Sequence, residues 1–230
     1  MSQFPDIARA MLVFAHPDDA DLSAGGTVAK WTRAGVEVAY VICTSGQRGS
    51  KDPTMTPSRL AEIREAEQLD VARYLGVKKT IFLRHMDGEL EATKAFRGEI
   101  AMLIRRYTPD VIVTHDPWML YQLHPDHRAV GITTVDAVVA ARDHLYLLDQ
   151  AEIGLPPHQP KELLLARAEK PDYVVDISDT MELKIEAVSR HHSQLDHVPG
   201  WRERVRELAA SRGSAEGFTY AETYKRIQFR

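Results

Sequence analysis

Strand-length apolar runs separated by helical stretches decide what this chain can fold into. Residues 10–15 (AMLVFA) are continuously apolar, and residues 36–43 (VEVAYVIC) are β-branched and aromatic. KTIFLR at 79–84 and DVIVTH at 110–115 continue the series. Runs without polar alternation suit strands covered on both faces, as in a parallel sheet. The intervening pattern predicts helices over 22–34, stopped by Gly35, and over 59–75, capped by Ser58 with Gly76 past its end. Further helices are expected over 95–107 and roughly 126–141. This β-α-β-α order predicts an α/β fold, a mostly parallel sheet flanked by helices on both faces.

The C-terminal part is less regular. Strands are expected at 162–169 and 172–177, and helices at 180–195 and 201–213. TSGQRGSKDPTMTPS at 44–58 and IGLPPHQPK at 153–161 are loop punctuation. The part after 161 is too small for a separate core, so residues 1–230 are expected to form a single domain.

Composition narrows the function classes. A formal net charge of −4 gives no basic footprint, so nucleic acid is not an expected partner. No run approaches the roughly 18 apolar residues of a membrane span, and MSQFPDIARA lacks the basic start and apolar core of a secretory leader. No membrane association and a cytoplasmic location are expected. A lone Cys43, expected to be a small buried hydrophobe, suits a reducing compartment and excludes any multi-cysteine metal site. Ten histidines then point to imidazole and carboxylate as the ligands of any bound metal. The sequence leaves a homo-oligomer open.

Two tetrapeptides carry that chemistry. His16-Pro17-Asp18-Asp19 follows the first strand, at the carboxyl edge where open parallel sheets bind ligands. His16 and Asp19 stand three apart and can face one point, while Asp18 projects elsewhere. His124-Pro125-Asp126-His127 follows the fourth strand and lands on the same edge. The competing reading is two exposed helix caps that share a tetrapeptide. Together the turns offer three ligands, an open metal position, a spare carboxylate and a spare histidine: an inventory for metal-assisted hydrolysis. Spacing leaves open whether His124 or His127 is the ligand. No G-x-G-x-x-G follows the first strand, which argues against a dinucleotide-binding oxidoreductase.

The motif AHPDDAD (15–21) with GGT (25–27) resembles the signature of the LmbE-like, or PIG-L, zinc-dependent N-acetylglucosaminyl deacetylases. TSGQRGS (44–50), DGEL (87–90), PDVIVTHDP (109–117), HPDHRAVG (124–131) and KIEAVSRHHSQ (184–194) match in order, so the resemblance spans about residues 10–195. It implies a Rossmann-like fold and one Zn2+ per chain, though a His₂Asp set accepts other divalent ions. It implies His16, Asp19 and His127 as metal ligands and Asp18 as general base. His124 would be the general acid or transition-state stabiliser, held by Asp126. Arg48, Asp87 and His191 are the implied substrate contacts. The implied substrate is a small amino sugar, an N-acetylglucosamine or its glycoside, losing its acetyl group. An amidase on a larger N-acyl conjugate and a metal-containing binding protein without catalysis are the alternatives. The net charge of −4 suits an uncharged sugar better than a polyanion.

This chain departs from the family pattern twice. Ala20-Asp21 follows the paired aspartates where a glutamate is usual, and Gly46-Gln47 stands where many members have Gly-Glu. Among the remaining polar residues, Asp116 is expected to support the site from behind. His85, His144, His158, His192 and His197 are expected on the surface, and Arg64 and Glu65 on a solvated helix face. Trp118, Met119 and Tyr121 fit an apolar wall for a sugar ring or plain loop packing.

Overall fold

The computed structural model describes residues 7–229. Strands β1 (Arg9–Phe14), β2 (Glu37–Thr44) and β3 (Lys79–His85) alternate with helices α1 (Asp19–Arg33), α2 (Pro57–Leu75) and α3 (Lys94–Tyr107). Then follow β4 (Val111–His115), α4 (Pro125–Arg142), the short α5 (Leu148–Glu152), β5 (Glu162–Ala166) and β6 (Tyr173–Asp176). Helices α6 (Met181–Ser189), α7 (His192–Leu195) and α8 (Trp201–Ser214) precede the last strand, β7 (Ala221–Gln228). The strands form one sheet in the order β3-β2-β1-β4-β5-β7-β6. β1 to β5 pair in parallel, whereas β7 runs antiparallel to both β5 and β6.

Strand alternation divides the core into two layers. Ala10, Leu12 and Phe14 of β1 point to the layer that includes α1, α6 and α8. Met11, Val13 and Ala15 point to the layer under α3 and α4. β1 is therefore apolar on both faces and sits in the interior of the sheet, between β2 and β4, as its unbroken run demands.

The structure differs from the sequence expectations at several boundaries. α1 begins at Asp19, three residues earlier than expected, so Asp19 belongs to its first turn. The cap of α2 is Thr56, whose side chain accepts from the Arg59 amide, and not Ser58. Pro57 occupies the first helical position, where a missing N–H costs nothing. The helix expected over 180–195 breaks at Arg190 and His191. α5 and β7 are not anticipated by the sequence pattern. β7 is hidden because its buried positions include a charge: Glu222 is 1% exposed.

Glu222 ties the two ends of the chain together. Its carboxylate accepts from the Gly26 and Thr27 amides at 3.0 and 2.8 Å, from the Thr27 and Tyr224 hydroxyls, and from Lys184 Nζ. Burial lowers the Lys184 pKa and Glu222 pushes it back up. The GGT segment has a steric role here as well. A Cβ on Gly26 would lie 2.8 Å from Ile177, so a glycine is what lets α1 pack this closely. A Glu222→Ala variant strands Lys184 and two amides in the core. It is expected to lose about 3–5 kcal/mol in urea denaturation, and a loss below about 1 kcal/mol would overturn this role.

Candidate active site

β1 and β4 are neighbours, but the strands that follow them are added on opposite sides. Such a switch point opens a crevice at the carboxyl ends, where ligands bind. Both His-Pro-Asp turns land in this crevice. Gly131 of α4 helps bring them together, since a Cβ there would stand 2.8 Å from the His115 carbonyl.

Three nitrogen and oxygen atoms converge. His16 Nδ1 lies 3.1 Å from Asp19 Oδ2 and 3.3 Å from His127 Nε2, and His127 Nε2 lies 3.2 Å from Asp19 Oδ2. Ligands held about 2.0–2.1 Å from a tetrahedral zinc stand about 3.3 Å apart, so this triangle has the size of one tetrahedral face. The donor set is imidazole and carboxylate, with Nδ1 of His16, Nε2 of His127 and Oδ2 of Asp19 facing one point. These residues therefore fit a divalent cation such as zinc.

The far side of His16 is fixed by carboxylates. Its Nε2 lies 3.0 Å from Asp126 Oδ2 and 3.1 Å from Asp87 Oδ1. Burial opposes charge on His16, but hydrogen bonds to Asp126, Asp19 and Asp87 outweigh it and raise its pKa to about 11. Burial opposes charge on Asp19 too, yet His115, His127 and His16 hold its carboxyl well below the usual range. Acidic residues thus crowd His16, an arrangement that a bound cation would stabilise.

Asp18 is held differently. Its backbone adopts φ 98°, a conformation that L residues rarely adopt. Its amide donates to Gln68 Oε1 at 3.0 Å, and Arg64 donates to its carboxylate at 3.2 Å and to the Pro17 carbonyl at 2.6 Å. Burial raises the Asp18 pKa, Arg64 opposes the rise, and Asp19 adds to it. Behind it, Asp21 Oδ2 is bonded by Gln68 and His191, and Asp21 Oδ1 by the Tyr40 hydroxyl.

Several sequence expectations are corrected here. Asp126 does not hold the His124 ring. Its carboxylate is taken by His16 and by the Gly88 and Leu90 amides. Instead, His124 Nδ1 caps α4 by accepting from the Asp126 amide at 3.3 Å. Burial lowers the His124 pKa, and the neighbouring His16 and His127 add to the fall. A neutral His124 whose Nδ1 accepts carries its proton on Nε2, where it is a donor. His191 is fully buried against Asp21, with no surface for a substrate. Arg64 is 4% exposed, not a member of a solvated face. The Asp87 carboxylate is turned onto His16 and the Arg48 amide. Arg48 itself is half-exposed and paired with Glu89. Gln47 donates to the His85 carbonyl, a bond that a glutamate at this position could not make.

His115 is the residue sequence reasoning missed. It ends β4, stacks on His127 with ring centroids 4.1 Å apart and lies 3.5 Å from Asp19. Burial lowers its pKa to about 4, against the opposing pull of Asp19. Its place beside the end of β1 was the available signal. Asp116 accepts from the Trp118 amide, and Trp118 and Tyr121 are exposed.

Comparison with known proteins identifies the lineage. The PIG-L family, described as GlcNAc-PI de-N-acetylase, matches residues 11–138. The chain belongs to the PIG-L family. Diacetylchitobiose deacetylase of Thermococcus kodakarensis is 37% identical over 221 residues, covering 95% of this chain and 83% of that one. The 1D-myo-inositol 2-acetamido-2-deoxy-alpha-D-glucopyranoside deacetylase of Mycobacteroides abscessus is 32% identical, covering 81% of each chain. The solved N,N'-diacetylchitobiose deacetylase from Pyrococcus horikoshii, complexed with its inhibitor MPG, superposes with a TM-score of 0.94 at 35% identity. That match covers 98% of this chain and 85% of the other. Within the PIG-L family the chain is a deacetylase, a hydrolase of a non-peptide C–N amide bond.

The Asp21 cluster yields a clean stability test. Tyr40→Phe removes one donor to a fully buried carboxylate and nothing else. It is expected to cost about 1.5–3 kcal/mol by chemical denaturation, since the acceptor is charged. An unchanged midpoint would show that Asp21 does not need this bond.

Proposed function

We propose that this chain is a zinc-dependent deacetylase that removes the acetyl group from an N-acetylglucosamine-type sugar or its glycoside. The observation that carries the reading is the triangle of His16 Nδ1, Asp19 Oδ2 and His127 Nε2, with sides of 3.1–3.3 Å. Its substrate class is supported by relatives named for diacetylchitobiose and for an acetamido-glucopyranoside. No helix among the described residues is long and apolar enough to cross a membrane. The buried, free Cys43 supports a reducing cytoplasm. We also read the chain as one catalytic domain, because the sheet draws strands from both sides of 153–161.

When bound, the metal would polarise the acyl carbonyl and lower the pKa of a water toward about 7. The remaining chemistry belongs to the chain. Asp18, raised by burial, is the base that takes a proton from the attacking water. Arg64 and Gln68 fix its direction. His124 Nε2–H donates to the oxygen that gains charge as the carbonyl is attacked. Asp126 and Asp87 hold the His16 ring so that Nδ1 faces Asp19 and His127.

Two variants test these roles. Asp18→Asn is expected to retain metal and lose about 10²–10⁴ of kcat in an acetate-release assay on N-acetylglucosamine and diacetylchitobiose. Near-normal turnover would remove Asp18 from the mechanism. His127→Ala is expected to lose bound zinc, measured by elemental analysis, together with activity. Wild-type enzyme treated with chelator is expected to lose activity and to regain it with added zinc. Full activity in the chelated, metal-free enzyme would refute metal dependence.

A further inference from the structure

A second pocket, of about 420 Å³, lies between α8, the segment after α7 and the end of β5. It shares no residue with the His16 cluster. Its wall is made of two kinds of side chain, basic and apolar. The basic ones are Arg167, Arg204, Arg212 and Lys184, and Met119 and Trp201 contribute to the apolar part. Among the described residues no carboxylate lines it, although acidic residues outnumber basic ones in the chain, 33 to 29.

Lys184 is neutralised by its ion pair with Glu222, so the charge left to the pocket is that of its arginines. Among the described residues Arg204 donates only to a neutral carbonyl, that of Pro199. Among the described residues, the Arg167 and Arg212 guanidinium groups make no hydrogen bond and no ion pair. Burial lowers the Arg212 pKa; Glu222 opposes the fall and Arg167 adds to it. Arg167 stands at φ 58°, a left-handed conformation that is costly for an arginine. Two unpaired guanidinium groups lining one apolar-walled cleft point to a ligand that supplies negative charge.

We propose that this pocket binds an amphiphilic oxyanion: a carboxylate or phosphate head between Arg167 and Arg212, with an apolar body against Trp201 and its neighbours. The head makes charge-assisted hydrogen bonds in a cleft where water competes poorly. The apolar body fills the wall that α8 leaves uncovered.

The test is calorimetric titration of the zinc-loaded enzyme with octyl phosphate, octanoate, inorganic phosphate and octylamine. Octyl phosphate or octanoate is expected to bind in preference to octylamine, and the tighter of the two identifies the head group. Two variants locate the site. Arg167→Gln/Arg212→Gln removes both unpaired cations. Leu208→Glu places a negative charge on the pocket wall at a position 52% exposed, where it does not disturb the fold. Each is expected to weaken the anion about tenfold or more. Equal affinity for octylamine would overturn the proposal, since the cleft would then be merely apolar. Unchanged anion affinity in Leu208→Glu would also overturn it, by placing the anion elsewhere, for instance on the metal. Failure to bind any of the four probes would overturn it as well.

Discussion

The grip on both nitrogens of His16 is the constraint on which the site depends. One side of the ring faces Asp19 and His127, and the other is held by Asp126 and Asp87. These partners come from the turn after β1, the turn after β3 and the first turn of α4. A ring this buried, surrounded by carboxylates, is stable only if every partner is in place. The sheet order supplies them. Because β1 and β4 are adjacent and their chains diverge, two distant turns can meet without either crossing the other.

Around this grip the residues divide by how they are held. Asp18 has a strained backbone pinned by Gln68 and Arg64, whereas Asp19 lies in the first turn of α1. Adjacent carboxylates thus meet opposite environments, and their pKa values move in opposite directions. A ligand needs its charge kept and a base needs its proton affinity raised, so the split matches the two roles proposed for them. The Asp21 cluster lies under both and ties α1 to β2, α2 and the break before α7.

The same logic explains the C-terminal third. Glu222 and Lys184 are charges buried in a core layer, and they join β7 and α6 to the Gly-Gly-Thr turn of α1. Helix α1 carries Asp19 at its start and this junction in its middle. The sheet edge that carries the candidate site and the antiparallel end of the sheet are therefore joined through α1. The basic pocket beneath α8 borders that junction through Lys184.

Much of this was legible in the linear chain. The parallel sheet follows from uninterrupted apolar runs such as 10–15, and two His-Pro-Asp tetrapeptides on one sheet edge name the metal-binding candidates, because short-range pattern determines strands, turns and ligand types. Other features needed the tertiary structure. β7 was invisible because its inward Glu222 breaks the apolar pattern unless Lys184 is known to face it. Asp126 was assigned to its neighbour in sequence, His124, but folding delivers it to His16, 110 residues away. Arg64 and His115 looked like surface or strand-end residues, and His191 like a substrate contact, until the fold buried them. Sequence determines which groups are available and which local shapes they take. Which of them share a proton, a charge or a ring face depends on contacts between distant segments, and only the packed fold decides those.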